Sequence, residues 1–149
     1  MHALDIYKWL GVSGNKFKKQ FQDNEALYKH AKEFWSNLDS NSIIIIGIFV
    51  VIGILLAIYY YRTYNNQPGR HYRPKKWLLW LGITAALSLI FSLIILPIIA
   101  SPKLPGSFPI ELKIAFGNAL YAVFVYFVVS VVWCNCFPTN AYRMFKFKK

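Results

Sequence analysis

Negative charge is scarce in this chain: six Asp and Glu residues stand against seventeen Lys and Arg among 149. The acids are scattered, and no two form a close carboxylate pair that could share general acid and base work. Cysteine is rarer still, with Cys134 and Cys136 alone. A disulfide between residues two apart would be strained. One Cys-x-Cys gives two soft ligands where a structural zinc site takes four. His71 falls on the same side of the topology derived below and His2 and His30 on the other, so no metal site within one chain is expected. The two cysteines read as packing residues at a membrane edge, open to S-palmitoylation. A Ser-His-Asp spacing, a glycine-rich phosphate loop and an HExxH helix are all missing. The expectation is a non-catalytic chain with no cofactor and no metal.

Charge of either sign is thin, at 15% of residues against 56% hydrophobic, where soluble domains carry about 25% charged. What is there instead is blocked rather than periodic. No charge interrupts the 22 residues between Asp39 and Arg62, the 26 between Lys76 and Lys103, or the 29 between Lys113 and Arg143. A helix rises about 1.5 Å per residue and the hydrocarbon core is about 30 Å thick, so roughly 20 residues cross it. In lipid each backbone donor and acceptor must be satisfied within its own segment, which leaves helices as the only way for three isolated runs to cross. A soluble domain this small could not cover three helices that are apolar on all faces. The fold class is therefore an all-α integral membrane protein, with three transmembrane helices and an amphipathic helical N-terminal segment.

The segments divide as follows: 1–41 polar and helical, 42–61 first span, 62–76 basic loop, 77–99 second span, 100–113 proline-rich loop, 114–133 third span, 134–149 basic aromatic tail. No cleavable signal peptide and no lipidation motif is expected, since the first run begins some 40 residues in, His2 follows Met1, and Lys146 stands fourth from the end. In the N-terminal segment Leu27, Ala31, Phe34, Trp35 and Leu38 recur at helical spacing as one apolar stripe. Asn24 is placed as its N-cap, with Glu25 in the first turn. Gly11 to Gly14 interrupts the pattern, so Ala3 to Leu10 forms a separate short helix. The amphipathic stretch is suited to a membrane surface, to a partner, or to docking on its own chain. Tyr7, Trp9, Tyr28 and Trp35, like Tyr59, Tyr60, Tyr61 and Tyr64 after the first span, suit the boundary between water and lipid. Pro97 should kink or end the second helix, and the segment Ser101 to Pro109 reads as a stiff non-helical connection.

Small residues mark faces for helix packing: Gly53 and Ala57 in the first span, Gly82, Ala86, Ser88 and Ser92 in the second, Gly117 in the third. Asn118 is the most polar intramembrane residue, with Thr84, Ser88, Ser92 and Ser130 as hydroxyls around it. Such groups bridge helices, or line a narrow pore in a homo-oligomer. No charged side chain lies within the predicted spans, which counts against proton relays, coupled transporters and voltage sensors.

The basic residues fall at membrane edges. Arg62, Arg70, Arg73, Lys75 and Lys76 in the first loop and Arg143, Lys146, Lys148 and Lys149 in the tail are candidate contacts to lipid headgroups. Those nine have no acid among them; eight lysines lie on the other side, many far from a span. The positive-inside rule then sets the C-terminus in the cytoplasm of a bacterial cell membrane, or in the equivalent compartment of an organellar inner membrane. The net charge of +11 brings no nucleic-acid motif with it, so lipid rather than nucleic acid is the expected partner. Three functions fit: a non-catalytic subunit of a larger membrane complex, a homo-oligomeric pore or membrane-perturbing effector, and an immunity or regulatory protein that binds a toxin or channel.

Overall fold

The computed structural model describes residues 3–70, 73–139 and 145. Of these residues 79% are helical and none lies in a strand. A 3-10 helix over Ala3–Leu10 is followed by α1 (Gly14–Lys19), α2 (Glu25–Ser40) and α3 (Ser42–Ile58), which continues into a π-helical turn at Tyr59–Tyr64. Helices α4 (Pro74–Ile99) and α5 (Phe108–Cys136) follow. Three stretches are long and apolar enough to span a membrane: Ser42–Tyr64 with 23 residues, Pro74–Ile99 with 26 and Phe108–Cys136 with 29. Even the shortest would reach about 35 Å, past the roughly 30 Å of hydrocarbon.

Local chemistry sets the ends. Asn24 caps α2, its side chain accepting from the N–H groups of Ala26 at 3.1 Å and Leu27 at 3.2 Å. Glu25 sits in the first turn, where the dipole favours an anion. At the other end Asn41 bends the chain into α3, its amide donating to the Asn37 carbonyl at 2.8 Å. Gly11 closes the 3-10 helix at φ +74°, a backbone position that favours glycine. Helix α1 follows at Gly14–Lys19, a turn that the glycine-rich sequence does not announce. Pro97 lies two residues from the end of α4, so the helix stops soon after the bond it removes.

One correction concerns the proline-rich connection. Phe108 to Lys113 belongs to α5, not to the loop, because Pro109 falls in the first helical turn, where its missing N–H has no intrahelical partner to lose. Glu111 and Lys113 thereby enter the helix, in its first two turns, and the Glu111 side chain is buried.

The chain forms two compact units, residues 1–48 with 89–118 and residues 49–88 with 119–149. In the first, the N-terminal segment docks on its own chain: Ala31, Phe34 and Leu38 of the predicted stripe are fully buried, worth about 2 kcal/mol for each large side chain. Phe34 meets Phe17 of α1 at a centroid distance of 5.2 Å. The Trp35 indole lies so close to Gly14 that a Cβ there would come within 2.4 Å of it. The second unit is aromatic at heart, with Ala57, Tyr60, Tyr61, Trp77, Tyr126 and Cys134 all buried together. The π turn, closed by the Asn65 N–H on the Tyr60 carbonyl at 2.8 Å, carries Tyr60 and Tyr61 inward together. Those two tyrosines are therefore core residues rather than boundary residues, while Tyr59 keeps an exposed ring.

Candidate functional site

Asn118 stands near the middle of α5 with no solvent exposure. Its carbonyl oxygen accepts the hydroxyl proton of Tyr7. Its amide nitrogen donates to the Ser92 hydroxyl at 2.8 Å and to the Ile45 carbonyl at 3.2 Å. A carbonyl oxygen has two lone pairs, so Ile45 can accept this bond beside a helical one. The amide thus ties the 3-10 helix, α3, α4 and α5 at a single point of the first unit. Gly117 makes room for it: a Cβ there would come within 2.8 Å of the Tyr7 ring and 3.0 Å of Leu10. The Gly117-Asn118 pair is therefore a seat for Tyr7, with the glycine admitting the ring and the asparagine oxygen accepting the hydrogen bond from its hydroxyl.

Tyr7, like Tyr60 and Tyr61, is not the boundary residue that the sequence suggests. It is fully buried rather than set at a boundary, because its hydroxyl finds a partner 111 residues away. A signal was present: Leu4, Tyr7 and Leu10 recur every three residues, the period at which a 3-10 helix eclipses its side chains, and Leu4 is buried too. Trp9, off that stripe, is exposed.

The second unit bonds its polar groups in another way. The Trp77 indole N–H donates to the Ser130 hydroxyl at 3.2 Å, and Ser130 donates to the Tyr126 carbonyl at 2.7 Å. Thr84 turns back onto the Trp80 carbonyl of its own helix at 2.8 Å. Ser88 is buried, with no partner for its hydroxyl among the described residues. The candidate packing residues separate here. Ala57 is fully enclosed, and a Cβ on Gly53 would come within 2.8 Å of Val125 and 3.0 Å of the Ala122 carbonyl. Gly82 and Ala86 lie on an exposed face of α4, with nothing within 4 Å of a Cβ at Gly82.

Arg62, Arg70, Arg73, Lys75 and Lys76 are all exposed. Arg143, Lys146, Lys148 and Lys149 lie outside the described residues, as do His2 and His71. Cys134 is buried in the aromatic core and Cys136 is exposed, both as free thiols. Among the described residues no three His, Cys, Asp or Glu side chains come together to hold a metal. Chemically, the Asn118 knot closes on itself: both amide protons and the carbonyl oxygen are bonded inside the chain. It can lock the N-terminal segment onto the helices, and it leaves no amide proton for a ligand. No family model, no curated protein and no solved structure matches this chain.

Proposed function

We propose that this chain is a small, non-catalytic subunit that resides in a membrane as a multi-pass protein, with its C-terminus in the cytoplasm, and assembles there with other membrane helices. One observation carries the reading. Helix α4 is the least enclosed of the three long helices, with 22% of its most apolar window buried against 33% and 44% for the others. On its open side Leu78, Gly82, Ala86 and Ile90 follow one another at spacings of four, all exposed. Two small residues one turn apart let another backbone come close, and close approach is what drives helix association in lipid. The second unit already uses a glycine in this way at Gly53.

The pore alternative draws no support from Asn118, whose amide is taken up within the chain. The immunity or regulatory alternative shares the same surface with a different partner. Purification in mild detergent, with the mass measured and co-purifying chains identified, tests the proposal. The wild-type chain should run as an assembly, and Gly82→Leu or Ala86→Leu should release it as a folded monomer, since both positions are exposed and a Cβ at Gly82 meets nothing within 4 Å. A wild-type chain that is already a lone monomer would overturn the reading.

A further inference from the structure

The 3-10 helix is held below the ends of the helices it packs on. Its Tyr7 meets Asn118 and abuts Gly117, and the same amide reaches Ile45 and Ser92. Ile45 lies three residues into α3, Ser92 seven before the end of α4, and Asn118 ten into α5. At about 1.5 Å per residue the Tyr7 hydroxyl therefore sits roughly 5 to 15 Å beneath those ends. The helix closes at Gly11, where a Cβ would come within 3.7 Å of the Lys113 ammonium.

A helix seated at that depth has an inner and an outer face. Leu4 and Tyr7 are buried on the inner one, while Ile6 at 37% and Trp9 at 58% stand exposed. At the same level α5 exposes Leu112, Phe116 and Leu120, which are spaced by four and all apolar. We infer that Ile6 and Trp9 are embedded in the headgroup boundary of the bilayer that the three long helices cross. The N-terminal segment is then tied to lipid as well as to its own chain. This rests on the membrane reading and adds a surface to it.

Trp9 has the chemistry for that place. An indole joins a large apolar body to one N–H donor, so it settles where hydrocarbon meets headgroup. Ile6, three residues before it, shares its side of a helix with this period. The charges nearby complement an anionic lipid surface. No acid lies between Asp5 and Asp23, where Lys8, Lys16, Lys18 and Lys19 stand. Of these Lys8, Lys16 and Lys19 are exposed, and their long stems let the ammonium groups reach headgroups from an apolar surface. Asp5, the one acid on the 3-10 helix, is paired with Lys8 at 3.0 Å, so embedding Trp9 strands no carboxylate.

The test uses the full chain with Cys136→Ser in vesicles of equal parts phosphatidylcholine and phosphatidylglycerol. A nitroxide is placed on one added cysteine, since Cys134 is buried. Electron paramagnetic resonance then compares access of oxygen, which concentrates in lipid, with access of a nickel chelate, which stays in water. Trp9→Cys should favour oxygen, with an oxygen-to-nickel ratio several times that of Lys29→Cys, an exposed position on α2. Phe124→Cys, exposed on α5, reads the spans by themselves. Preference for nickel at position 9 with oxygen at position 124 would overturn the embedding and leave the membrane reading standing. Preference for nickel at both would overturn the two together. Poor access of both reagents at position 9 would also overturn the embedding, because protein and not lipid would then cover Trp9. Should Trp9→Cys fail to fold, Ile6→Cys keeps the indole in place and carries the same test.

Discussion

Asn118 and Trp77 anchor two interiors built on different chemistry. Around Asn118 the buried polar atoms find one another across the chain: a phenol, an amide, a hydroxyl and a backbone carbonyl share three bonds. Around Trp77 the rings do most of the packing, with Trp77 against Tyr126 at 5.6 Å and Tyr61 against Trp133 at 6.1 Å. There the Tyr126 hydroxyl and the indole nitrogens of Trp80 and Trp133 are buried without partners among the described residues. The first unit is specified by polar closure and the second by shape. A hydrogen bond in an apolar setting has one right partner and a narrow angle, whereas a ring can meet its neighbours edge-on or offset at similar energy. The first unit should therefore be sensitive to the loss of single atoms, and the second to the loss of volume.

That contrast can be broken by experiment, with unfolding in mild detergent followed by circular dichroism. Trp77→Ala should have the largest effect, about 3–5 kcal/mol, because it empties the middle of the aromatic core. A loss below that of Asn118→Leu would remove the claim that volume holds the second unit. Asn118→Leu keeps the size of the side chain and strands the Tyr7 and Ser92 hydroxyls, for an expected loss of about 2 kcal/mol. It should also free the N-terminal segment, read as faster proteolysis before residue 41. The smallest effects make the sharpest test, since they compare one chemical change at two places. Tyr7→Phe should cost about 1 kcal/mol, whereas Tyr126→Phe, which deletes a hydroxyl with no partner among the described residues, should stay within about 0.5 kcal/mol of wild type. Equal costs for the two would mean that the units do not differ in kind.

Much of this arrangement follows from local sequence. The Asn24 cap, the stripe of Ala31, Phe34 and Leu38, and the small residue at Gly53 each declare themselves within a few residues, because capping and helical periodicity are short-range effects. Asn118 stands out for the same reason, as the one amide within the 114–133 span. Its partners do not. Tyr7 looks like a boundary aromatic because tyrosine is amphipathic, and only a contact across most of the chain shows which end is wet. Tyr60 and Tyr61 beside Arg62 look like an aromatic belt until the π turn carries them inward. Asn65 reads as part of a polar turn, and only the structure shows it buried, its amide nitrogen without a partner among the described residues. Phe108 to Lys113 joined α5 against the expectation of a loop, since proline inhibits a helix interior but not its first turn.

The sequence by itself determined that three helices would form and roughly where, since long uncharged runs leave the backbone no partner but itself. It also determined the sign of the charge at the helix edges, because charge is a property of residues and needs no fold. Only the tertiary structure decided which polar groups close on one another and which stay open. Hydrogen-bond closure depends on segments far apart in the chain meeting within about 3 Å. The same selectivity separates Asn118, bonded inside the chain through its amide protons and its carbonyl oxygen, from Asn65, whose buried amide nitrogen has no partner among the described residues.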